Sequence, residues 1–356
     1  MDTKEPILLV SPWPSRNNGL SNYAVRYKAE LERQGVKVPS ERLYFWGEKT
    51  SFWKWIPILR RARREGLRRI LVQHTPTCSG PLLPWFLGRA RKSGIRIVVV
   101  SHETPSTYAR HLDGFLPGKA AYLAYERAVA RRAQAFVVHT RLHAREMENL
   151  DAPATATIPH AILNMPESVL PWRPETIGIY GQIGRKKGHD LVVDAIQSRP
   201  PGFFPILEIW GAPGVGQESY LDELKHRVAP GYADRILFRG YLPEDGKAEA
   251  FSRMRLAVFP YRWISQSGAL AEAVAHQVPY LASGIPFFEE FQKTHLCGDL
   301  FRSDDVQDLA SRLAEILASP PRWTPADFQR LHSSLSISRC CQELLHLFGD
   351  TGLNPE

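Results

Sequence analysis

A polar loop, a helix of small residues and a single acid give the clearest chemical signal in this sequence. The loop is Ile264–Ser267, Gly268 follows it, and Glu272 lies in the helical pattern that ends before Pro279. The N-terminus of a helix offers backbone N–H groups and a positive dipole end, and glycine lets a phosphate approach them closely. A carboxylate nearby can accept hydrogen bonds from hydroxyl groups. The pattern predicts amides for a diphosphate and an acid for a ribose, although an ordinary loop and helix would look the same in isolation.

A second glycine-rich stretch, residues 181–188, follows a predicted strand and carries three consecutive cations. Its glycines allow unusual backbone angles, and Arg185 and Lys187 supply positive charge for a phosphate. The Gly-Lys-Ser/Thr order is absent, so this is not a Walker loop. Alone, the stretch could equally be an exposed basic turn. Together with Ser267 and Gly268 it favours a clamp for a diphosphate.

Two other predicted strands end in aromatic or polar residues. The strand that ends at Gly240 is followed by Tyr241, and such a turn could hold a nucleobase or could simply start the next helix. The strand 95–100 is followed by His102 and Glu103. A lone histidine is more often structural than catalytic, but ligands of parallel α/β folds bind at the carboxyl ends of the strands, so the position of His102 strengthens the case for a functional role.

The first strand-to-helix turn carries Asn17, Asn18 and Gly19, and Ser21 and Asn22 follow. It lacks the Gly-x-Gly-x-x-Gly pattern, which argues against an NAD enzyme, and Ser21 or Asn22 could simply cap the helix. The sequence has no Asp-x-Asp motif, no His/Cys cluster with metal-ligand spacing and no Gly-x-Ser-x-Gly elbow. Hydrolase and metalloenzyme classes are therefore disfavoured, and we expect no metal.

Charge is distributed unevenly along the 356 residues. Residues 1–165 hold 26 Lys and Arg against 13 Asp and Glu, whereas residues 166–356 hold 19 against 24. A basic first half would attract an anionic membrane leaflet, a phosphorylated acceptor or nucleic acid, although solvated arginines need no partner. The segment Arg60–Arg69, beside Trp53 and Trp55, could be a basic helix face at a membrane surface or an ordinary solvated face.

The cellular location follows from several absent signals. No apolar run approaches the ~18 residues that span a bilayer, and Met1–Val10 is predicted to contain a first strand and no signal peptide. The four cysteines show no Cys-x-x-Cys spacing, so disulfides and structural zinc are not expected. The sequence therefore predicts a cytoplasmic protein, with any membrane contact at the inner face.

Short apolar strands alternate with helical patterns, which is typical of parallel α/β sheets. The predicted strands are 7–10, 70–73, 95–100, 135–138, 157–159, 177–180, 206–210, 236–238, 256–260 and 280–282. The pattern restarts after the proline-rich segment Leu163–Glu175. We therefore predict two Rossmann-like doubly wound domains, 1–165 and 166–324, facing each other across a cleft. A final helix at about Pro325–Phe348 opens a C-terminal segment, 325–356.

Taken together, these motifs resemble the retaining GT-B glycosyltransferases of glycosyltransferase family 4. The resemblance covers nearly the whole chain, and the motifs that carry it occur in the family's order: Ser11–Tyr23, Leu71–His74, Val100–Glu103, Ala133–Thr140, Ile158–His160, Gly181–Gly188 and Ser267–Pro279. It implies a GT-B fold in which the second domain binds a nucleotide sugar and the first binds the acceptor. The C-terminal segment would cross back toward the first domain.

The resemblance also implies a role for each candidate residue. Glu272 would hold the ribose hydroxyls, and Lys187 and Arg185 would neutralise the diphosphate. His102 would contact the donor sugar near the reaction centre. The other implied donor-binding residues are Gly19, Gly181, Gly240, Tyr241, Gln266, Ser267, Gly268 and Ala269, and the acceptor-binding residues are Asn22, His74 and Glu103. Fixed cations and dipoles would stabilise the departing diphosphate, so neither a metal nor another cofactor would be required.

Two departures from the family pattern affect these predictions. The first Glu of the family's Glu-x7-Glu pattern is Ile264 here, so Gln266 or Ser265 would contact the sugar, and the donor sugar does not follow by analogy. The phosphate-loop Arg that comes directly after the Gly is Gln182 here, and Arg185 is its proposed substitute.

The leading hypothesis is a retaining, metal-independent hexosyltransferase that uses a UDP- or GDP-sugar as co-substrate. Its acceptor would be anionic: a lipid-linked glycan, a lipopolysaccharide or an exopolysaccharide at the cytoplasmic membrane face. A second hypothesis makes nucleic acid with a modified base the acceptor, because a basic first half suits that partner too. A third is a catalytically silent sugar-nucleotide or glycan-binding protein, which Ile264 favours and the retention of Glu272, Lys187 and His102 opposes.

Overall fold

The computed structural model describes residues 5–12, 19–44, 53–110, 116–163, 166, 175–319 and 322–349. Asn17, Asn18 and most of the predicted linker Leu163–Glu175 lie outside these ranges. The chain divides into two compact units, one of residues 1–163 with 335–356 and one of residues 164–334. Each unit is built on a six-stranded sheet in which all paired strands are parallel. The predicted α/β class with two doubly wound sheets is confirmed.

The first unit has the strand order β2-β1-β3-β4-β5-β6. Its strands are β1 (Ile7–Pro12), β2 (Ser40–Leu43), β3 (Arg69–His74), β4 (Arg96–Ser101), β5 (Ala135–Val138) and β6 (Thr155–Thr157). The predicted strands of this unit agree with these to within two residues at their starts. The sequence did not reveal β2, because Ser40-Glu-Arg-Leu43 is an edge strand with one apolar residue and no apolar run.

The helices of the first unit surround this sheet. Apart from the C-terminal helix described below, they are α1 (Gly19–Arg33), α2 (Trp55–Arg64), α3 (Pro76–Ser79), α4 (Leu83–Lys92), α5 (Pro105–Ala109), α6 (Leu116–Ala130) and α7 (Arg141–Glu148). The buried residues Tyr23, Tyr27 and Leu31 recur along α1 at helical spacing and pack with Leu9 of β1.

Helix α2 has an apolar side and a side with the exposed residues Arg60, Arg63 and Arg64, and membrane contact through that exposed side stays a prediction. Its apolar side packs into the core of the first unit, where Trp55 and Ile58 are buried and the Trp55 indole N–H donates to the Ser79 carbonyl at 2.7 Å. The predicted basic face also ends early, because α2 stops at Arg64 and Arg69 already belongs to β3. The apolar surface of this helix therefore stabilises the fold. No helix in the described ranges is both long and apolar enough to cross a membrane.

The second unit repeats the scheme with the strand order β12-β11-β10-β7-β8-β9. Its strands are β7 (Thr176–Tyr180), β8 (Ile206–Trp210), β9 (Ile236–Gly240), β10 (Met254–Phe259), β11 (Tyr280–Ser283) and β12 (Gly298–Phe301). Its helices are α8 (His189–Gln197), α9 (Glu218–Arg227), α10 (Lys247–Arg253), α11 (Gly268–Ala275), α12 (Pro286–Thr294), α13 (Val306–Ala318) and α14 (Pro325–Ser334). Central strand β7 lies between β10 and β8, so the turns after β7 and β10 meet at one sheet edge.

The C-terminal segment forms two helices where the sequence predicted one. α14 ends at Ser334, and α15 (Ile337–His346) begins after Ser336, whose hydroxyl accepts from the backbone N–H of Arg339 at 3.3 Å. This side-chain cap starts a new helix. α15 belongs to the first unit, where Cys341 and Leu344 are buried in the cluster that contains α1.

Candidate functional site

The glycine-rich turn after β7 lies directly against the start of α11. Gly181 has a φ of +122°, and a Cβ added to it would lie 3.4 Å from the Cβ of Ala269. Gly188 has a φ of +62°, and a Cβ there would lie 1.9 Å from the Pro260 carbonyl oxygen. Both positions therefore require glycine for conformation, and Gly188 also requires it for space. The structure thus brings together the two segments from which the sequence predicted a diphosphate clamp.

The N-terminus of helix α11 lies at this site. The Ser267 hydroxyl accepts from the backbone N–H of Leu270 at 3.2 Å, which caps the helix, and Gly268 is exposed. A helix of this kind leaves its first backbone N–H groups without intrahelical acceptors. Gly268 and Ala269 therefore carry amides suited to an anion at the end of a helix dipole.

Lys187 supplies a cation beside this helix end. Its ammonium nitrogen lies 3.6 Å from the centre of the Tyr261 ring, and the Tyr261 side chain hydrogen-bonds to Ser267. Burial, reinforced by the neighbouring Lys186, holds the pKa of Lys187 well below its usual value. Among the residues that the structure describes, no carboxylate forms a salt bridge with Lys187. A desolvated cation of this kind is stabilised by any anion that enters.

Arg185, the proposed substitute for the family's phosphate-loop Arg, is engaged elsewhere. Its guanidinium donates to both carboxylate oxygens of Glu223 on α9, at 2.5 and 2.6 Å, and stacks 4.9 Å from the Tyr220 ring centre. The Arg185 side chain is mostly exposed. It would have to leave Glu223 to reach a phosphate, so its role stays a prediction and Lys187 is the better-placed cation.

A cation that the sequence analysis did not identify stabilises the same turn. Arg262 donates to both oxygens of Asp190, at 3.0 and 2.7 Å, and to the Arg185 carbonyl at 2.7 Å. Its own backbone N–H donates to the Lys186 carbonyl at 2.9 Å. The segment that follows β10 is therefore fastened to the 181–188 turn at several points, and this fixes the backbone on either side of Lys187.

Glu272 lies half-buried on α11, where Lys247 of α10 contacts it. The Lys247 ammonium is 3.2 Å from Oε1 of Glu272 and 2.8 Å from Oε2 of Glu244. The sequence analysis passed over Lys247. A signal was present, because Lys247 precedes the buried Ala250 and Phe251 by three and four positions and so occupies the apolar face of its helix.

The other predicted donor-binding residues of the second unit lie at neighbouring strand ends. Gly240 has a φ of +73°, and its carbonyl accepts from the Gly211 N–H at 2.7 Å, which places the end of β9 beside the turn after β8. Tyr241, in the turn after β9, is 59% exposed. Ile264 and Gln266 are both half-buried in the loop before α11. These assignments stay predictions.

His102, predicted from the first unit, belongs to a buried histidine cluster. Its Nε2 contacts Oε1 of Gln73, its Nδ1 lies 3.3 Å from Nε2 of His139, and its ring meets the Tyr23 ring edge-on at 4.8 Å. Burial lowers the pKa of His102 well below its usual value. The ring is therefore a neutral group at the carboxyl end of β4, and both of its nitrogens contact protein groups, as those of His74 do. Its contact with the donor sugar stays a prediction.

His74, predicted to bind the acceptor, is enclosed in the core. Its Nδ1 lies 2.7 Å from the Ser79 hydroxyl and its Nε2 lies 3.1 Å from Oε1 of Glu126, and the residue is only 1% exposed. Both ring nitrogens are thus occupied by protein groups, so this placement does not favour contact with an acceptor. Of the other residues predicted in this unit, Gly19 begins α1, Asn22 is exposed on it, and Glu103 is half-buried after β4.

Solved structures with the same fold include three proteins. Sucrose-phosphate synthase from Thermosynechococcus elongatus has 16% sequence identity and a TM-score of 0.75, and the match covers 97% of this chain and 98% of that chain. Anabaena HepE in complex with UDP and glucose has 14% identity and a TM-score of 0.73, with 97% and 99% covered. The lipopolysaccharide outer core galactosyltransferase WaaB has 12% identity and a TM-score of 0.67, with 97% and 99% covered. At these identities the likeness establishes the GT-B fold alone. Comparison with curated protein sequences gave no match.

Family models identify the activity class. A Glycosyl transferase 4-like domain matches residues 16–160, and the family described as Glycosyl transferases group 1 matches residues 174–319. The chain is a glycosyltransferase of the GT-B kind. In this glycosyltransferase the group 1 match contains the 181–188 turn, Lys187 and the whole of α11, so the segment that matches the family also contains the candidate diphosphate site.

Proposed function

We propose that this glycosyltransferase transfers a hexose from a UDP- or GDP-sugar, with retention of configuration, to an anionic acceptor. The observation that carries the proposal is Lys187, a desolvated ammonium group beside the N-terminus of α11 with no carboxylate partner among the described residues. A nucleoside diphosphate supplies the missing negative charge. Glu272 lies about one turn after the start of α11. It would accept hydrogen bonds from the ribose hydroxyls.

The reaction that this arrangement supports needs no enzymic nucleophile. The bond between the anomeric carbon and the diphosphate oxygen breaks, a bond from the acceptor hydroxyl oxygen to the same face of that carbon forms, and the acceptor proton passes to the departing diphosphate. Negative charge grows on the diphosphate in the transition state. Lys187 and the α11 amides are fixed near the proposed position of that charge, so they would stabilise the transition state more than the ground state.

Structural neighbours support the choice of donor class. HepE was solved with UDP and glucose and with UDP-glucose, and WaaB is a galactosyltransferase of the lipopolysaccharide outer core. Uridine and guanosine donors both stay in the proposal. The donor sugar is left open as well, because Ile264 replaces the acid through which it would be read by analogy.

The acceptor proposal rests on charge. The first 165 residues carry twice as many Lys and Arg as Asp and Glu, which suits a lipid-linked, lipopolysaccharide or exopolysaccharide acceptor at the inner face of the membrane. The same charge suits nucleic acid. Binding to vesicles containing anionic lipid and to duplex DNA, each across a salt series, separates the two, because the proposed acceptor class predicts the stronger retention on vesicles.

Donor hydrolysis tests the function most directly. Purified protein is incubated with EDTA and a panel of UDP-, GDP- and dTDP-sugars, and released nucleotide is measured. Slow release from one donor, abolished in Glu272→Ala, is expected. No release together with no thermal shift for any nucleotide would contradict the proposal and favour a silent glycan-binding protein. Release that requires an added divalent cation would contradict metal independence alone.

A further inference from the structure

One buried cation in the second unit connects two segments of the proposed donor site. Lys247, the first residue of α10, is only 7% exposed. Its ammonium group contacts Glu272 on α11 and Glu244 in the turn after β9, at 3.2 and 2.8 Å. The centre of the Tyr180 ring lies 5.7 Å away. Lys247 therefore bridges the turn after β9 and helix α11, which are separated along the chain by α10, β10 and a loop.

The charge on Lys247 is stabilised by these acids. Burial by itself lowers the pKa of a lysine, but Glu272 and Glu244 outweigh burial and raise the pKa of Lys247 above its usual value. The ammonium group stays charged and lies 3.2 Å from Oε1 of Glu272, so it holds that carboxylate oxygen in place. A carboxylate oxygen that is already held in place accepts hydrogen bonds from hydroxyl groups without being ordered on binding.

The two acids belong to segments with different predicted ligands. Glu272 is the proposed ribose acid, whereas Glu244 closely follows Gly240 and Tyr241, the turn predicted to hold the base. The base and the ribose of one nucleoside are covalently joined at a fixed spacing. A single cation that ties both segments together would fix the matching spacing in the protein before the ligand arrives, which reduces the cost of ordering them on binding.

We propose that Lys247 is a positioning residue for the nucleoside half of the donor: it orients Glu272 toward the ribose hydroxyls and holds the base-binding turn in register with it. This inference rests on the proposed function, because it takes Glu272 to be the ribose acid. It adds a residue that acts through another, without contact to the reacting atoms.

The test measures how much the ribose hydroxyls contribute to binding. Calorimetry gives the dissociation constants of UDP and 2′,3′-dideoxy-UDP, and of GDP and 2′,3′-dideoxy-GDP, for the wild type, Lys247→Met and Lys247→Arg. In the wild type, the nucleotide with the preferred base is expected to bind about 100-fold more tightly than its dideoxy form, since each hydrogen bond from a ribose hydroxyl to a charged group contributes roughly tenfold or more. Lys247→Met is expected to reduce that ratio below about 10-fold, with little change in dideoxy-nucleotide binding. Lys247→Arg should restore most of it.

Lys225→Met, at an exposed position on α9, is the matched control and should keep the wild-type ratio. An unchanged ratio in Lys247→Met, with or without lower thermal stability, would overturn this inference and leave the donor proposal standing. A wild type that binds none of the four ligands would overturn the proposed function itself. Should Lys247→Met not fold, Glu244→Gln at an exposed position replaces it. That variant is expected to raise the dissociation constant of UDP or GDP several-fold without raising that of pyrophosphate. An equal rise for nucleotide and pyrophosphate would overturn the inference.

Discussion

The ammonium group of Lys187 lies 3.6 Å from the centre of the Tyr261 ring, and Tyr261 hydrogen-bonds to the residue that caps α11. A cation over a tyrosine ring gains part of the charge stabilisation that burial removes. It does not gain the full stabilisation that an anion would give. This pair therefore holds a positive charge in place beside a helix N-terminus while leaving it able to bind a phosphate.

Replacement of that charge should weaken donor binding specifically. We expect Lys187→Met to raise the dissociation constant of UDP or GDP about 10- to 100-fold, since hydrogen bonds to charged groups contribute about 1.5–3 kcal/mol. Uridine or guanosine, which lack the diphosphate, should bind both proteins alike. Calorimetry with Lys225→Met as the control measures this. Equal losses for nucleoside and nucleoside diphosphate would show that Lys187 only maintains the fold.

Binding of the diphosphate should take up protons. Because burial holds the pKa of Lys187 well below its usual value in the free protein, a bound anion must raise it, and the lysine gains a proton over the interval between the two pKa values. Affinity should therefore fall as pH rises from the pKa of the free state to that of the bound state, and level off above it. Titrations in two buffers with different ionisation enthalpies report the number of protons, which should drop to near zero in Lys187→Met.

Gly188 should tolerate substitution less well than another glycine of the same unit with a positive φ. Gly188→Ala combines a φ of +62° with a Cβ that would lie 1.9 Å from the Pro260 carbonyl oxygen, whereas Gly202→Ala has a φ of +87° and open space. We expect about 1 kcal/mol of destabilisation from strain in Gly202→Ala and at least ~2 kcal/mol more in Gly188→Ala. Urea unfolding of both variants checks this. Equal losses would mean that the turn relaxes away from Pro260.

The two tryptophans near α2 should behave in opposite ways. Trp55 is fully buried and its indole donates to Ser79, so Trp55→Ala should destabilise the first unit by about 3–5 kcal/mol. Trp53 is 70% exposed, and Trp53→Ala should change the free energy of unfolding by less than about 0.5 kcal/mol. Any loss of vesicle binding should therefore appear in Trp53→Ala. A large stability loss in Trp53→Ala would contradict the packing described above.

Acid should destabilise the first unit through its buried histidines. Burial lowers the pKa of His139 to about 4, and that of His143 and of His160 to about 3. In the unfolded chain their pKa returns to about 6.5, so the unfolded state binds more protons below that value and stability falls as pH drops from about 6.5 toward 4. Urea midpoints across this range measure the slope. His139→Gln should flatten it, and the exposed His346→Gln should leave it unchanged.

Much of this protein could be predicted from local patterns. The apolar strands, the glycine-rich turn and the run from Ile264 to Pro279 fixed the α/β class and the nature of the candidate site, because strand and helix periodicity and glycine conformation depend mainly on near neighbours. Edge strand β2 and the break at Leu335–Ser336 were missed for the same reason, since neither has a distinctive local pattern.

Only the tertiary structure decided which side chains serve the site and which serve the core. His74 and Trp55 occur in motifs that suggest ligand or membrane contact, yet burial and their partners Glu126 and Ser79 make them structural. Lys187 and Lys247 look alike in sequence, as basic residues near a turn. Lys187 is half-buried against the Tyr261 ring, whereas Lys247 lies between Glu244 and Glu272. Tyr261 and Glu272 are distant from these lysines along the chain, so only the tertiary structure sets that difference.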